Sequence, residues 1–197
     1  ATELCRPSFL LNTVLNENKE ILQVFAGDYI QAHLAGCKLV EEIYGTELTE
    51  EADLVIASCG GYPKDINVYQ MQKTMDNAYL AVREGGVVIL LGECVEGTGS
   101  ELYEKWMREY KTPEKIEAMV RENFQIGGHK AYAVTRLMRK AEYILISNLD
   151  PELAQTLLFT PAKDMEEALQ KAYAKLGPNP RILLMPQGSL TVPILKK

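Results

Sequence analysis

A pair of glycines followed by an aromatic residue, a proline and a lysine, Gly60-Gly61-Tyr62-Pro63-Lys64, leads into a run where Gln70, Lys73 and Asn77 recur at helical spacing. Adjacent glycines at a strand end leave backbone N–H groups uncovered, and proline suits the first position of a helix. The stretch therefore reads as a strand-to-helix turn that can receive an anion. Lys64 and Lys73 would stand in the first half of that helix, where the macrodipole disfavours a cation unless a ligand compensates. The spacing puts Gln70, Lys73 and Asn77 on one polar stripe. Val68, Met71, Met75, Ala78 and Val82 form the apolar stripe that must face a sheet. Tight packing alone also calls for glycine pairs in parallel α/β folds, and on the residues alone both readings stand.

A second constellation, Gly127-Gly128-His129-Lys130-Ala131-Tyr132, again joins glycines, a planar ring and a lysine at a helix start, although a solvent-facing helix entry has the same look. Glu93, just beyond an apolar run, could meet a ligand and is expected to pair with Lys64. Cys59 lies near lysines, yet a buried small residue is the commoner role for such a cysteine. His33 is expected at the edge of a helical stripe, with no metal partner at a useful spacing. Gly97-Thr98-Gly99 lacks the third glycine of a dinucleotide fingerprint.

The elements that must position these groups follow from periodicity. Ser8–Leu15 and Glu20–Phe25 read as a hairpin across the polar turn Asn16–Lys19. Asp28 caps a helix whose buried stripe is Ile30, Leu34, Cys37, Val40 and Tyr44. Asp53–Ser58, Val87–Leu91, Glu142–Ser147 and Arg181–Met185 are apolar runs separated by helical patterns, as strands covered on both faces require. The helix after Gly60-Gly61 continues to about Arg83 and is ended by Gly85-Gly86. Ser100 and Thr112 cap two further helices, Gly127-Gly128 opens one to about Lys140, a short one starts at Pro151, and Asp164–Leu176 is amphipathic. The expected architecture is α/β: a parallel sheet of about four strands with helices on both faces, a Rossmann-like three-layer sandwich, plus an N-terminal β-hairpin. Residues 1–27 form the hairpin and linker, and 28–197 the α/β domain. Ligands of such a sheet gather at the carboxyl ends of its strands, here Cys59–Gly61, Gly92–Cys94, Ser147–Asn148 and Pro186–Gly188.

Composition removes whole classes of function. With 21 Lys and Arg against 27 Asp and Glu, a net charge of −6 and no basic tract, a nucleic-acid partner is not expected. The longest apolar run, Val87–Leu91, is far short of the roughly 20 residues a membrane-spanning helix needs. Four scattered cysteines without a C-x-x-C pair read as reduced thiols in a cytoplasmic protein. The chain starts at Ala1 and almost directly in a strand, which reads as a piece of something longer.

The motif Gly60-Gly61-Tyr62-Pro63-Lys64-Asp65-Ile66-Asn67, with Tyr69-Gln70 and Lys73 behind it, resembles the signature of the nickel-pincer lactate racemase family. Asn12–Asn16, Phe25–Asp28 and Gly127–Ala131 match as well, so the resemblance covers most of the chain and falls in the C-terminal half of the family's sequences. It implies a racemase or epimerase of small 2-hydroxy acids, an isomerase using a nickel-pincer nucleotide (nickel pyridinium-3,5-bisthiocarboxylic acid mononucleotide) to accept and return a hydride. It further implies that Tyr69, Gln70, Lys73, Gly60 and Gly61, with His129 less directly, contact substrate and cofactor. In the resemblance Lys73 meets the substrate carboxylate and Gln70 donates a hydrogen bond. The family's catalytic histidines and its cofactor-bearing lysine have no counterpart in this chain, and His33 and His129 cannot replace them. The resemblance thus implies no catalytic residue and no metal ligand here, a partner half that carries them, and no activity or bound cofactor for this chain alone. The alternative is a non-enzymatic α/β module whose glycine turn and Lys73 capture a small carboxylate or phosphate.

Overall fold

The computed structural model describes residues 4–196. The chain divides into two compact units, Ala1–Gly45 and Thr46–Lys197. This boundary and the one expected between residues 27 and 28 differ by the whole of the first helix.

In the first unit, β1 (Leu10–Leu15) and β2 (Ile21–Gly27) form an antiparallel hairpin. The Asn16 side chain holds its turn by accepting from the N–H groups of Asn18 and Glu20. Asp28 caps α1 (Tyr29–Tyr44) by accepting from Ile30 and Gln31 N–H. The expected buried stripe of α1 is not buried: Ile30 and Leu34 are 53% and 60% exposed, and Ala32 is the residue that packs. The reason is that α1 has only a two-stranded hairpin to cover within its unit.

In the second unit, five parallel strands lie in the order β7 (Thr160–Ala162), β6 (Glu142–Ile146), β5 (Val82–Leu91), β4 (Ala52–Ser58), β8 (Ile182–Met185). The four expected strands are neighbours and parallel, and β7 is an addition at the edge. A separate pair joins β3 (Gly45–Leu48) to β9 (Val192–Leu195). The period-2 alternation of strand side chains divides the core into two layers. Val55, Ala57, Val88, Leu90, Tyr143 and Leu145 face one layer, with α2 (Val68–Ala81), α3 (Glu101–Tyr110), α4 (Pro113–Glu122), α5 (Gly128–Met138) and α6 (Pro151–Thr156). Leu54, Val87, Ile89 and Ile144 face the other, covered by Ala168 and Ala172 of α7 (Met165–Leu176). The chain steps from β4 to β7 in one direction and α7 then returns it to β8 on the far side of β4. The switch in direction therefore lies between β4 and β8, the place where open α/β sheets form their ligand crevice.

Two boundaries differ from expectation. Helix α2 ends at Ala81 and the strand follows at once, so Gly85-Gly86 lies inside β5, where the pairing with β4 is irregular. A side chain at Gly86 would meet the Asp53 carbonyl at 2.8 Å, so this glycine serves close packing of the two strands.

At the opposite, amino-terminal end of the sheet, Asp53 accepts from Arg83 and from the Arg181 N–H. The Arg83 hydrogen bond, reinforced by Arg181, holds its carboxyl below the ordinary value of 3.8. A depressed carboxyl contributes stability that is complete above the unfolded pKa and is lost as pH falls through the lower folded value. We therefore expect Asp53→Asn to unfold at lower urea than the parent at neutral pH, with the gap closing below about pH 4. A gap that stays constant through the acid range would refute this role.

Candidate functional site

Strand β4 ends at Ser58 and the buried Cys59 follows, after which Gly60 and Gly61 both adopt positive φ, +87° and +72°. The Lys64 ammonium and Ser189 hydroxyl lie 3.5 and 3.8 Å from the point that a Cβ at Gly60 would occupy. The loop after β8 closes on the same edge. Gly188 N–H donates to the Ser58 carbonyl at 2.9 Å, and the Gly188 carbonyl accepts from Asn77 Nδ2 at 2.7 Å. Asn77, expected on the ligand-facing stripe, is thus spent on tying the β8 loop to α2.

Pro63 does not start the helix. Residues 61–67 form turns, Asn67 is the N-cap, and α2 begins at Val68. Lys64 accordingly lies before the helix, and the macrodipole argument does not apply to it. Nor is the helix end open to an anion. Val68 and Tyr69 N–H donate to the carbonyls of Gly97 and Thr98 at 3.1 Å each, and Gln70 N–H to Asn67 Oδ1 at 3.0 Å. These are the donors an anion would have used, and the loop after β5 takes them. The space for that loop depends on Gly99, where any Cβ would fall 2.4 Å from Asn67 Cγ. An anion captured on this edge would have to use the Gly60-Gly61 turn and Lys73 rather than the helix end.

What remains exposed is the polar face of α2. Its apolar residues Val68, Met71, Met75 and Ala78 are fully buried, as the spacing implied. Tyr69 and Gln70 are half-buried and Lys73 is exposed, its ammonium donating to Gln70 Oε1 at 3.0 Å. Helix α5 meets α2 here, and Gly128 lets its first turn pack closely on α3: a side chain there would meet the Trp106 ring at 2.6 Å. His129 is half-buried; its Nδ1 accepts from Gly127 N–H at 3.1 Å and its ring lies 5.7 Å from that of Phe124. That bond leaves Nε2 to carry the proton of the neutral ring. Among the described residues no hydrogen bond joins His129 to Tyr69, Gln70 or Lys73.

The residue that does join the helices is Lys130, part of the Gly127–Tyr132 motif but not among the site residues expected from sequence. Its ammonium lies 4.0 Å from the centre of the Tyr69 ring and donates to Gln72 Oε1. Burial pushes it below the ordinary lysine value, and the nearby Lys73 adds to that fall while Asp76 opposes it. A lysine in the first turn of a helix, against the macrodipole, was the available signal. Lys64, Lys73 and Lys130 have no carboxylate partner among the described residues. The expected Lys64–Glu93 pair does not form: Glu93 accepts from Asn148 Nδ2 instead.

His33 is exposed, 3.5 Å from Cys37 Sγ. No group of three or more His, Cys, Asp or Glu could hold a metal among the described residues. No helix there is long and apolar enough to cross a membrane.

Residues 48–192 match the family model described as the lactate racemase C-terminal domain. The chain belongs to that family. It is 35% identical over 186 residues to the lactate racemase of Thermoanaerobacterium thermosaccharolyticum, covering 92% of this chain and 43% of that protein. To the lactate racemase of Lactiplantibacillus plantarum it is 31% identical over 193 residues, 95% of this chain and 45% of the relative. The solved lactate racemase apoprotein of the first organism superposes with a TM-score of 0.87 at 32% identity, over 98% of this chain and 48% of that one. A Thermotoga maritima protein shares the fold at a TM-score of 0.63 and 14% identity. The chain thus spans less than half the length of the lactate racemases it matches.

Burial settles the behaviour of the thiols in this racemase-family domain. Desolvation raises Cys59 to about 11 and Cys94 to about 12, whereas Cys5 and Cys37 are exposed. Only a thiolate alkylates. We expect iodoacetamide at pH 8 to label Cys5 and Cys37 in the folded protein, and Cys59 and Cys94 only after unfolding. Peptide mass spectrometry reads the result, and rapid labelling of folded Cys59 would contradict it.

Proposed function

We propose that this chain is the substrate- and cofactor-contacting portion of a nickel-pincer-dependent racemase or epimerase of small 2-hydroxy acids. The observation that carries the reading is the solvent-facing row Tyr69, Gln70, Lys73 on α2, in a domain 35% identical to a lactate racemase. Lys73 offers a compact charge for the substrate carboxylate, Gln70 an amide for a second hydrogen bond, and Tyr69 a ring face for a planar group. In the turn after β4, Gly61 leaves open space where a side chain would stand, and Gly60 has the Lys64 ammonium against it. These groups fit the organic part of an anionic planar nucleotide rather than a metal ion. When bound, such a cofactor supplies a hydride acceptor for the hydroxyl-bearing carbon. The proton of that hydroxyl needs a base on each face of the carbon. His129, its Nδ1 already engaged, contributes a ring at the edge of the face in this reading.

The partner is the remaining half of the longer polypeptide, which supplies the bases and closes the cleft. Two observations support it. The C-terminal domain model leaves out residues 1–47, yet the lactate racemases align with most of them. That same stretch exposes Leu11, Ile21, Val24, Ile30 and Leu34, more apolar surface than a free hairpin and helix should leave in water. The setting is cytoplasmic in this reading, with the cysteines reduced.

The test is racemisation kinetics of the full-length, cofactor-loaded protein across a panel of 2-hydroxy acids. Lys73→Ala should lower kcat/KM by about one to two powers of ten, as loss of a charge-assisted hydrogen bond of about 1.5–3 kcal/mol implies. Lys73→Arg should restore it only in part. This chain alone should not racemise any of the panel. Unchanged kcat/KM in Lys73→Ala for every acid turned over would sink the assignment.

A further inference from the structure

A half-buried lysine with no carboxylate partner among the described residues needs a reason to hold its place. Lys130 lies in the first turn of α5, where the helix dipole opposes it, and close to a second lysine, Lys73. The acid whose charge favours the ammonium, Asp76, is bound by Arg136 at 3.1 Å. Two contacts hold the ammonium instead: the face of the Tyr69 ring, 4.0 Å from its centre, and Gln72 Oε1. Gln72 is buried and is itself anchored to Asp76 through Nε2 at 2.9 Å. The chain Asp76–Gln72–Lys130–Tyr69 thus runs from an ion pair across the α2–α5 junction to the ring beside Gln70. A tyrosine ring on one turn of helix is otherwise free to change rotamer, and a desolvated cation on its face resists that.

We propose that Lys130 is a positioning residue, which fixes the Tyr69 ring in the orientation required to contact the bound substrate or cofactor. The inference rests on the reading of Tyr69 given above, and adds a residue to which the family resemblance assigns no role. Lys130 touches the ring and Gln72, not the reacting atoms, and so acts through Tyr69.

The geometry and its consequence are tested separately. In the present chain, with lysines labelled at the ε-carbon, the Lys130 ε-protons should resonate upfield of the other lysines through the Tyr69 ring current, and Tyr69→Leu should abolish the displacement. In the full-length, cofactor-loaded protein, Lys130→Met should lower kcat/KM about tenfold, and Lys130→Arg should recover it to within about threefold, because a guanidinium also seats on a ring face. In a Tyr69→Leu background, Lys130→Met should change kcat/KM by less than about twofold, since the two residues act as one unit. A merely structural brace would not show that dependence on Tyr69. Equal losses from Lys130→Met with and without Tyr69, or no upfield resonance, would overturn the inference while leaving Tyr69 and Lys73 their roles. If Tyr69→Leu and Lys73→Ala both leave kcat/KM at the parent value, the functional reading fails and this inference with it.

Discussion

The rotation of α2 about its axis is set by what satisfies its first N–H groups. Gly97 and Thr98, from the loop after the next strand, supply two carbonyls, and Asn67 supplies the third acceptor. An unfilled helix end would leave these donors to water or ligand, whereas here the protein fills it and fixes the helix in one register. Once that register is set, Val68, Met71, Met75 and Ala78 must face the sheet, and Tyr69, Gln70 and Lys73 must face away. Gly99 is the condition for the whole arrangement, since the loop can approach Asn67 only where no Cβ intervenes. A motif that looks like a phosphate cradle thus does different work: it turns one face of a helix toward solvent.

Topology places that face where it can be used. The return of the chain along α7 puts β8 beside β4, so the loops after these two strands share the switch-point edge, and Asn77 and Gly188 bind them together. Helix α5 reaches the same edge through the close packing of Gly128 on Trp106, and Lys130 closes the gap to Tyr69. Lys64, Lys73 and Lys130, without a carboxylate partner among the described residues, therefore stand around the edge where an open α/β sheet receives ligands, in a protein of net charge −6. Such a surface favours an anionic ligand through its field as well as its contacts.

Much of this was legible in the sequence because it is local. The uninterrupted apolar run Val87–Leu91 declares a strand buried on both faces, and Asp28, Ser100, Thr112, Asp150 and Asp164 cap helices where short-range capping rules put them. The start of α2 at Val68 had a local signal in the N-cap Asn67, which the reading of Pro63 as the first helical residue passed over, whereas the Gly97 and Thr98 carbonyls that take two of its N–H groups come from about thirty residues downstream and have no local signature. Strand β7 is three residues long with Pro161 in its middle, a pattern tolerated at a sheet edge but silent as a strand signal. The exposure of the α1 stripe escaped for another reason. Periodicity tells which side of a helix is apolar, not whether anything within the same unit covers it. On α2, the spacing put Gln70 and Lys73 on one outward stripe and the family resemblance added Tyr69, while the contact of Lys130 with the Tyr69 ring depends on two helices meeting and has no local signature beyond its opposition to the dipole.

The central claim is that the outward face of α2 is half of an active site for a small carboxylate. A structure of the full-length protein with cofactor and a 2-hydroxy acid bound tests it most directly. The account predicts the substrate carboxylate within about 2.7–2.9 Å of Lys73 Nζ, the spacing of a charge-assisted hydrogen bond, with the Tyr69 ring alongside. A substrate held entirely by the other half of the polypeptide, with Lys73 directed to solvent, would contradict it.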